Sequence, residues 1–324
     1  MALEHLILNG LAVIVTLILA LLSVLWAAFS SGVAVFILIA GVVIQYSSLG
    51  PILPPPITNC EANFANAIAL ASFNNTNGNT LDLRVLIEHP QPMIKYVSIS
   101  PDVLPLGRRK SLRSNTAVIN VPTLPVGNYT TAAIGVTVDG KHLTVSTSCD
   151  FIPGVNNVWH GDTVDILDLE TIPTQWNTNR VKLVSHPDLN TIGNKAVLKF
   201  AEFGRDIESI DRETEIYKHL VSFEGAPQFI AHVTENRGSR VVGFLTEYIE
   251  GARSIRNSSL PTVAVEKCIK TLFNLHQLGI AHHNSYPRNC LLRPDGTAFL
   301  IDFEQAKRGE KDFKKDFALM NKAI

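Results

Sequence analysis

A stretch near the C-terminal end, residues 275–304, sets the strongest limit on what this chain can fold into. It reads LHQLGIAHHNSYPRNCLLRPDGTAFLIDFE. An apolar pattern with helical spacing ends at Gly279, a residue type that commonly follows the last turn of a helix. Pro294-Asp295-Gly296 then marks a turn between two short apolar strands. The order predicts a helix, a polar loop and a β-hairpin. The polar residues of interest are His282, His283, Asn284, Asn289 and Asp302.

The segment before this stretch reads as strand, turn, strand and helix, beginning at Arg180. Residues 196–200 form a predicted buried strand that carries Lys199. The next predicted element is a helix that contains Glu213. Glu215 is the nearest alternative to Glu213 as the partner of the lysine. The pattern therefore predicts a strand with one lysine, followed by a helix with two candidate carboxylates.

Taken in order, these elements resemble the protein-kinase-like superfamily, which includes the aminoglycoside phosphotransferases. The family pattern is His-x-Asp, then Asn after four residues, then an Asp at the end of a following strand. The corresponding residues here are His282-His283-Asn284, Asn289 and Asp302. The resemblance covers residues 178–324. This part of the chain is similar in particular to short kinase-like proteins of filamentous fungi. It implies an α+β protein-kinase-like domain over residues 179–324.

The resemblance also implies roles for individual residues. Lys199, held by Glu213, would bind the α- and β-phosphates of ATP. Asn289 and Asp302 would hold Mg²⁺. The hinge at Glu247 would present backbone groups to adenine. Mg-ATP is therefore the implied cofactor.

The loop departs from the family pattern at Asn284, which stands at the position of the catalytic Asp. An amide accepts a hydrogen bond from a substrate hydroxyl but cannot take its proton, and general-base assistance is worth a factor of about 10²–10⁴. The adjacent His283 is titratable and is an alternative base. We expect His282 to hold the loop through hydrogen bonds of its ring. The loop therefore favours impaired catalysis.

Two further features favour weak catalysis. Residues 184–195, interpreted as the loop between the first two strands, contain Gly193 as their only glycine. They lack the G-x-G-x-x-G pattern, whose backbone N–H groups bind phosphates. The sequence ends at Ile324, which leaves room for one helix after residue 313 and predicts a truncated C-lobe.

The N-terminal residues form a long apolar run, without any charged side chain from Leu6 to Ile44. Residues 11–29 are long enough to cross a bilayer core of about 30 Å at about 1.5 Å per residue. A cleaved signal peptide would have a basic start and a shorter core. Residues 1–50 are therefore predicted to be a membrane anchor, either one helix or a two-helix hairpin, with residues 6–49 in the lipid bilayer. The first Lys or Arg is Arg84, so the orientation stays open.

The middle of the chain changes to a period of two. A Pro-rich spacer is predicted at residues 51–57, followed by an antiparallel β-sandwich-like domain at residues 58–151. Asp139-Gly140 between two apolar runs predicts a hairpin with a type I′ turn, in which both central residues have φ > 0. Residues 152–178 lack clear periodicity and are predicted to be a linker to the kinase-like domain.

Cysteines and glycosylation sequons bear on the compartment. Cys60 and Cys149 bracket the middle domain, and a disulfide between them would indicate an oxidising compartment. Two buried free thiols are the alternative. The sequons are at Asn74, Asn128 and Asn257, with the first two in predicted turns.

The charge of the chain gives no indication of a nucleic-acid partner. The formal net charge is -1, and the basic residues 108–113 have no interleaved aromatic residues for stacking on bases. We therefore expect no nucleic-acid binding.

The features together predict a membrane-anchored pseudokinase that acts as a binding or regulatory module for an unidentified protein or small molecule. One alternative is an active ATP-dependent phosphotransferase on a small molecule or a protein. Another is a cell-surface recognition module carried by the β-sandwich. The number of membrane crossings, one or two, and the side of the soluble domains stay open, as does a truncated or fused gene.

Overall fold

The computed structural model describes residues 64–75, 80–88, 91–103, 123–189, 191–255, 262–309 and 313–321. The predicted anchor and spacer, together with Cys60 and Asn257, lie outside the described residues. Within the described ranges, no helix is both long and apolar enough to span a bilayer. The described residues all belong to one compact unit.

The middle segment forms a five-stranded sheet and a two-stranded sheet. The five-stranded sheet has the order β2-β3-β4-β6-β7, and β1 pairs with β5. The strands are β1 (Phe64–Ala65), β2 (Ala67–Asn75), β3 (Thr80–Ile87), β4 (Met93–Ile99), β5 (Leu124–Pro125), β6 (Thr131–Val136) and β7 (Leu143–Ser148). The predicted antiparallel pairing is wrong for β4 and β6, which are parallel. The long connection between these two strands allows a parallel crossover.

The hairpin between β6 and β7 is confirmed, but its turn type differs from the prediction. The backbone N–H of Gly140 donates to Thr137 O at 2.7 Å. Within this turn, which the structure describes completely, positive φ is confined to Gly140, at 69°. A type I′ turn needs two positive φ values, so this loop is closer to a type I turn followed by a left-handed glycine.

The kinase-like part begins with a six-stranded sheet of order β8-β12-β13-β11-β10-β9. Helix α1 (Ile207–Lys218) follows β11. The strands are β8 (Thr163–Asp165), β9 (Glu170–Ile172), β10 (Val181–Ser185), β11 (Lys195–Phe200), β12 (Phe229–Glu235) and β13 (Arg240–Glu247). The prediction of a linker over residues 152–178 was wrong in part, because β8 and β9 are the two edges of this sheet. Strands of three residues are too short to show periodicity in a sequence.

The second half packs around helix α2 (Thr262–Gln277). Gly279 follows the helix with φ of 69°, and its N–H donates to His276 O at 2.9 Å. Such a left-handed position strongly favours glycine, as predicted for the helix end. The other elements are β14 (Arg253–Ser254), β15 (Ile280–Ala281), β16 (Cys290–Leu292), β17 (Ala298–Leu300), β18 (Lys307–Arg308) and α3 (Lys314–Met320).

The disulfide of the structure differs from the predicted one. Cys149 is exposed and carries a free thiol, so it does not form the predicted bridge. Its predicted partner Cys60 lies outside the described residues. Cys268 of α2 is instead bonded to Cys290 of β16. Both are fully buried in the core. The position of two cysteines at the ends of a domain therefore did not identify the bonded pair. The bonded cysteines are the two that a helix and a strand bring together in the apolar core.

The two predicted turn sequons have different positions. Asn128 is exposed in a bend before β6, as predicted. Asn74 lies in β2, opposite Leu81 of β3, rather than in a turn. Glycosylation at these sites stays a prediction.

The five-stranded sheet docks against the six-stranded sheet through buried charged groups. Arg84 of β3 forms an ion pair with Glu235 at the end of β12, with 3.2 Å between Nη2 and Oε2. Arg240 of β13 binds the same carboxylate at 2.7 Å, and Tyr96 donates to it at 3.2 Å. Arg84 and Glu235 are both nearly inaccessible to solvent. The contact therefore joins the two domains through buried charges, and each charge would be strongly destabilising without its partner.

A second set of contacts reaches α1. The guanidinium of Arg205, just before α1, lies 3.3 Å from the centroid of the Phe73 ring in the five-stranded sheet. On α1 itself, the carboxylate of Asp211 accepts hydrogen bonds from the backbone N–H groups of Asn156 and Asn157, at 2.6 and 2.8 Å. The residues that precede the kinase-like sheet therefore help to fix the position of this helix.

Candidate functional site

The predicted ion pair between β11 and α1 is formed. Ala196, Leu198 and Phe200 alternate into the core on one side of β11, which turns Lys199 to the other side, toward α1. Lys199 Nζ lies 2.6 Å from Glu213 Oε2. Glu213 is 1% exposed, whereas Glu215 is exposed on the opposite side of the helix. Glu213, rather than Glu215, is therefore the partner of the lysine.

Two further carboxylates surround the same ammonium group. Lys199 Nζ lies 2.6 Å from Asp302 Oδ1 and 3.1 Å from Glu304 Oε1. Burial alone would lower the pKa of Lys199, but Glu213, Asp302 and Glu304 outweigh it and raise that pKa. Burial would raise the pKa of Asp302, but the nearby Lys199 lowers it below the ordinary value. Lys199 and Asp302 are therefore both charged at neutral pH.

The polar loop after β15 brings both asparagines to Asp302. Asn284 donates from Nδ2 to Asp302 Oδ2 at 2.6 Å, and its Oδ1 accepts from Arg288 at 3.3 Å. Asn289 donates from Nδ2 to Asn284 O at 2.7 Å and to Asp302 Oδ2 at 3.4 Å. The residue at the base position thus acts as a neutral donor that holds Asp302. It offers no group that can accept a proton from a substrate.

Asp302 has an unusual backbone conformation, with φ of 67°. A left-handed conformation is costly for a residue other than glycine, by about 1 kcal/mol or more. Here the carboxylate is held from two sides, by Lys199 and by Asn284. The backbone N–H of the next residue, Phe303, also donates to Glu213 Oε1 at 3.0 Å. These contacts stabilise the strained residue and direct it into the cluster.

His282 holds the loop through its ring, as predicted. The ring contacts Ile301 O through Nε2 at 3.1 Å, and Nδ1 accepts from the backbone N–H of Asn284 at 3.3 Å. The tautomer is therefore the one with its proton on Nε2. Complete burial lowers the pKa of His282. A neutral imidazole that links the loop to the strand before Asp302 has a positioning role.

Asp316 of α3 organises the same loop and was missed from the sequence. Its carboxylate accepts from the backbone N–H groups of His282 and His283, at 2.7 and 2.8 Å. It also binds His276 Nε2 at 2.9 Å. Asp316 is 1% exposed, and these partners outweigh burial and lower its pKa. The signal in the sequence was an acidic residue on the apolar face of a short helix, three residues before the buried Leu319.

Arg180 is a second residue that the sequence did not single out. It precedes β10, and its Nη2 lies 3.1 Å from Glu304 Oε1 and 2.9 Å from Ser209 Oγ. Its Nε donates to Phe200 O at 3.4 Å. Its Nη1 also lies 4.0 Å from Asp206 Oδ1. The cluster therefore holds two cations, Lys199 and Arg180, and four carboxylates.

The loop next to this cluster differs from the predicted one. β9 and β10 are the first two strands of a hairpin-connected, antiparallel pair in this sheet, and residues 173–180 are the loop that connects them. It reads PTQWNTNR and contains no glycine. Residues 184–195, the predicted position of this loop, instead connect β10 to β11, because β9 precedes both strands. The indole of Trp176 stacks on Tyr248 of the hinge, with 6.4 Å between ring centroids.

Glu247 is the last residue of β13, where the hinge was predicted. Its Oε1 lies 3.6 Å from Arg293 Nη2, and its Oε2 accepts from the backbone N–H of Gln228 at 3.4 Å. The side chain therefore ties the strand to the hairpin of β16 and β17. A cavity of about 910 Å³ lies on this side, between Glu247, Tyr248 and residues 160–168. It is separate from the Lys199 cluster.

The cluster also suits a hard cation. Glu213, Asp302 and Glu304 offer ligand atoms that lie within 4.8 Å of one another. Carboxylate and amide oxygens are the ligands that Mg²⁺ prefers. Asn289 presents its NH₂ group to Asp302 here, so its oxygen becomes a ligand only after the amide rotates. Asp302 therefore fits Mg²⁺ as it stands, and Asn289 fits it once the amide has rotated.

Comparison with protein families gives one match that bears on this site. Residues 172–285 match the phosphotransferase enzyme family, which is part of the protein-kinase-like and aminoglycoside phosphotransferase superfamily. The matched part includes Lys199, Glu213, Glu247 and Asn284, whereas Asp302 lies beyond it. A comparison with curated proteins gives no match. The predicted resemblance to this superfamily is therefore confirmed, on the matched segment.

Proposed function

We propose that this protein is a kinase-like nucleotide-binding protein with impaired phosphate transfer, a pseudokinase. The observation that carries the proposal is the hydrogen bond from Asn284 Nδ2 to Asp302 Oδ2, at 2.6 Å. The family resemblance implies a catalytic carboxylate at this position, which would accept the substrate proton, and in this chain the residue is an amide donor. The family match supports a phosphotransferase-like domain. The domain then serves as a binding or regulatory module, held at a membrane by residues 6–49.

Nucleotide binding is supported by the assembled cluster. Mg-ATP would supply the transferable phosphate and the metal that neutralises it. Of the chain's own residues, Lys199 would bind the phosphates, and Glu213 holds its ammonium in place. Asp302 and Asn289 would hold the metal. These residues are in position because His282 and Asp316 fix the loop from both sides.

Active phosphate transfer is the second candidate function. Two contacts favour it, the ion pair of Lys199 with Glu213 and the contact of Lys199 with Asp302. A kinase-like enzyme requires both the ion pair and the metal-binding aspartate to be in place. A substrate hydroxyl would then lose its proton to another group, and His283 is the titratable neighbour of Asn284. Loss of the general base would leave a rate lower by about 10²–10⁴.

The test is to measure nucleotide binding and phosphate transfer on the same full-length protein. We expect Mg-ATP to raise the melting temperature of the wild type and of Asn284→Asp, but not of Asp302→Ala. We expect transfer near background for the wild type. Substantial wild-type turnover that disappears in Asp302→Ala would contradict the pseudokinase proposal and favour the active enzyme. An absence of any nucleotide effect would contradict both.

A further inference from the structure

The loop over residues 173–180 has no glycine, so it cannot bind phosphates as a glycine-rich loop does. It ends instead in Arg180, whose guanidinium reaches the Lys199 cluster. An arginine offers several N–H donors in a fixed plane, a geometry that matches phosphate as well as carboxylate. The loop thus brings a different kind of anion-binding group to the same place.

Glu304 contacts both cations of the cluster. Its Oε1 lies 3.1 Å from Lys199 Nζ and 3.1 Å from Arg180 Nη2. One carboxylate oxygen between two cations has the contacts that a phosphate oxygen would make there. The Glu304 side chain is 25% exposed, so it borders solvent and is not enclosed in the core.

Arg180 is held independently of Glu304. Its Nη2 donates to Ser209 Oγ at 2.9 Å and its Nε to Phe200 O at 3.4 Å. The guanidinium therefore keeps its position when the carboxylate leaves. A preorganised donor loses little conformational entropy on binding an anion.

We propose that Arg180 is a phosphate-binding residue of this chain, and that Glu304 occupies the phosphate position until a nucleoside polyphosphate displaces it. The inference rests on the proposed nucleotide binding and deepens it. The ligand class is set by the polyphosphate rather than by the base. Arg180 takes over the task that backbone N–H groups perform in a glycine-rich loop.

The rival explanation is a purely structural ion pair. In that case Glu304 and Arg180 would only fasten residues 302–304 to α1, where Arg212 Nε also donates to Glu304 O at 3.2 Å. The two explanations predict opposite effects on Mg-ATP affinity when the charge of Glu304 is removed. A structural carboxylate supports the site, whereas one that occupies the phosphate position competes with the ligand.

The experiment titrates Mg-ATP and adenosine into the full-length wild type, Arg180→Gln and Glu304→Gln, with calorimetric detection of binding. Arg212→Gln is the matched control, because Arg212 contacts the backbone oxygen of Glu304 and not its carboxylate, and its other partner is the exposed Glu208. We expect Arg180→Gln to weaken Mg-ATP binding by about tenfold to a hundredfold, the usual range for one charged hydrogen bond. We expect Glu304→Gln to tighten it by about tenfold, while adenosine binding changes in neither variant.

Each outcome decides between the explanations. Equal affinity of all four proteins for Mg-ATP, or weaker binding by Glu304→Gln, would overturn the inference while leaving nucleotide binding intact. Binding by Glu304→Gln but not by the wild type would support it. If no folded variant binds Mg-ATP, the proposed function fails and the inference fails with it.

Discussion

The side-chain amide of Asn284 and the carboxylate of Asp302 are joined by a hydrogen bond of 2.6 Å between Nδ2 and Oδ2. Asp302 already has one cation, Lys199, on its other oxygen. A neutral donor completes its hydrogen bonding without adding charge. The residue that removes the general base therefore also stabilises the strained aspartate.

Asn284→Asp tests this relationship. The substitution places two carboxylates in contact, so the free energy of unfolding without metal should fall by about 1–3 kcal/mol at pH 7. Mg²⁺ should recover most of the loss, because a cation can bridge the two groups. Urea denaturation with and without Mg²⁺ measures both effects. Asn284→Ser, which removes the amide without adding charge, is the control and should respond less to Mg²⁺.

Lys199→Met should leave Glu213 buried without its cation. Removing one partner of a buried pair costs about 3–5 kcal/mol. Burial already raises the pKa of Glu213, and loss of Lys199 raises it further. A raised carboxylate pKa lowers stability as the pH rises above the unfolded value near 4.3. The variant should therefore be most destabilised at neutral pH and less so near pH 4.5. The double variant Lys199→Met/Glu213→Gln should recover part of the loss, and no recovery would contradict the pairing.

Asp316→Asn should weaken the hydrogen bonds that hold the backbone of the loop at His282 and His283. The pKa of Asp316 is lowered in the folded protein. Its contribution is therefore complete above the unfolded value near 3.9 and is lost as the pH falls toward the folded pKa. We expect the variant to lose about 3 kcal/mol at pH 7, with the difference from wild type shrinking below pH 4. Lys315→Gln, one residue away and exposed, is the control for a change in helix α3. A constant difference at all pH values would show that the Asp316 charge is not involved.

Arg84→Met tests the contact between the two domains. Glu235 keeps Arg240 and the Tyr96 hydroxyl as partners but loses one buried charged hydrogen bond, so the free energy of unfolding should fall by about 1.5–3 kcal/mol. Cleavage by a protease between the domains, around residues 149–152, should also become faster. Lys141→Met, on the exposed hairpin of the same sheet, should change neither measurement. An unchanged cleavage rate in Arg84→Met would mean that the ion pair does not hold the domains together.

The parts of the site that could be predicted are those with strong local patterns. The buried strand over residues 196–200 and the helix that carries Glu213 were predicted from such patterns, and the family resemblance then implied the pairing of Lys199 with Glu213. The helix end at Gly279 followed from the need for positive φ. Glu213 could not be separated from Glu215 by sequence alone, since burial decides it and burial depends on the packed fold.

The remaining parts depend on contacts between distant segments. Arg180 and Asp316 matter because of what the fold places beside them, at separations of more than 30 residues in sequence. Strands β8 and β9 were missed because three residues show no period. The pairing of Cys268 with Cys290 also depends on tertiary structure, as it joins a helix to a strand across the core.

The docking of the five-stranded sheet has a consequence for the kinase-like domain. Because both belong to one chain, the contacts of Arg84 with Glu235 and of Arg205 with Phe73 form an intramolecular association. A short tether gives such an association an effective concentration of the order of mM. A single cut in the tether would turn it into an ordinary bimolecular encounter at far lower concentration. The sheet would then dissociate, and α1 would lose a support that no free partner supplies at that concentration.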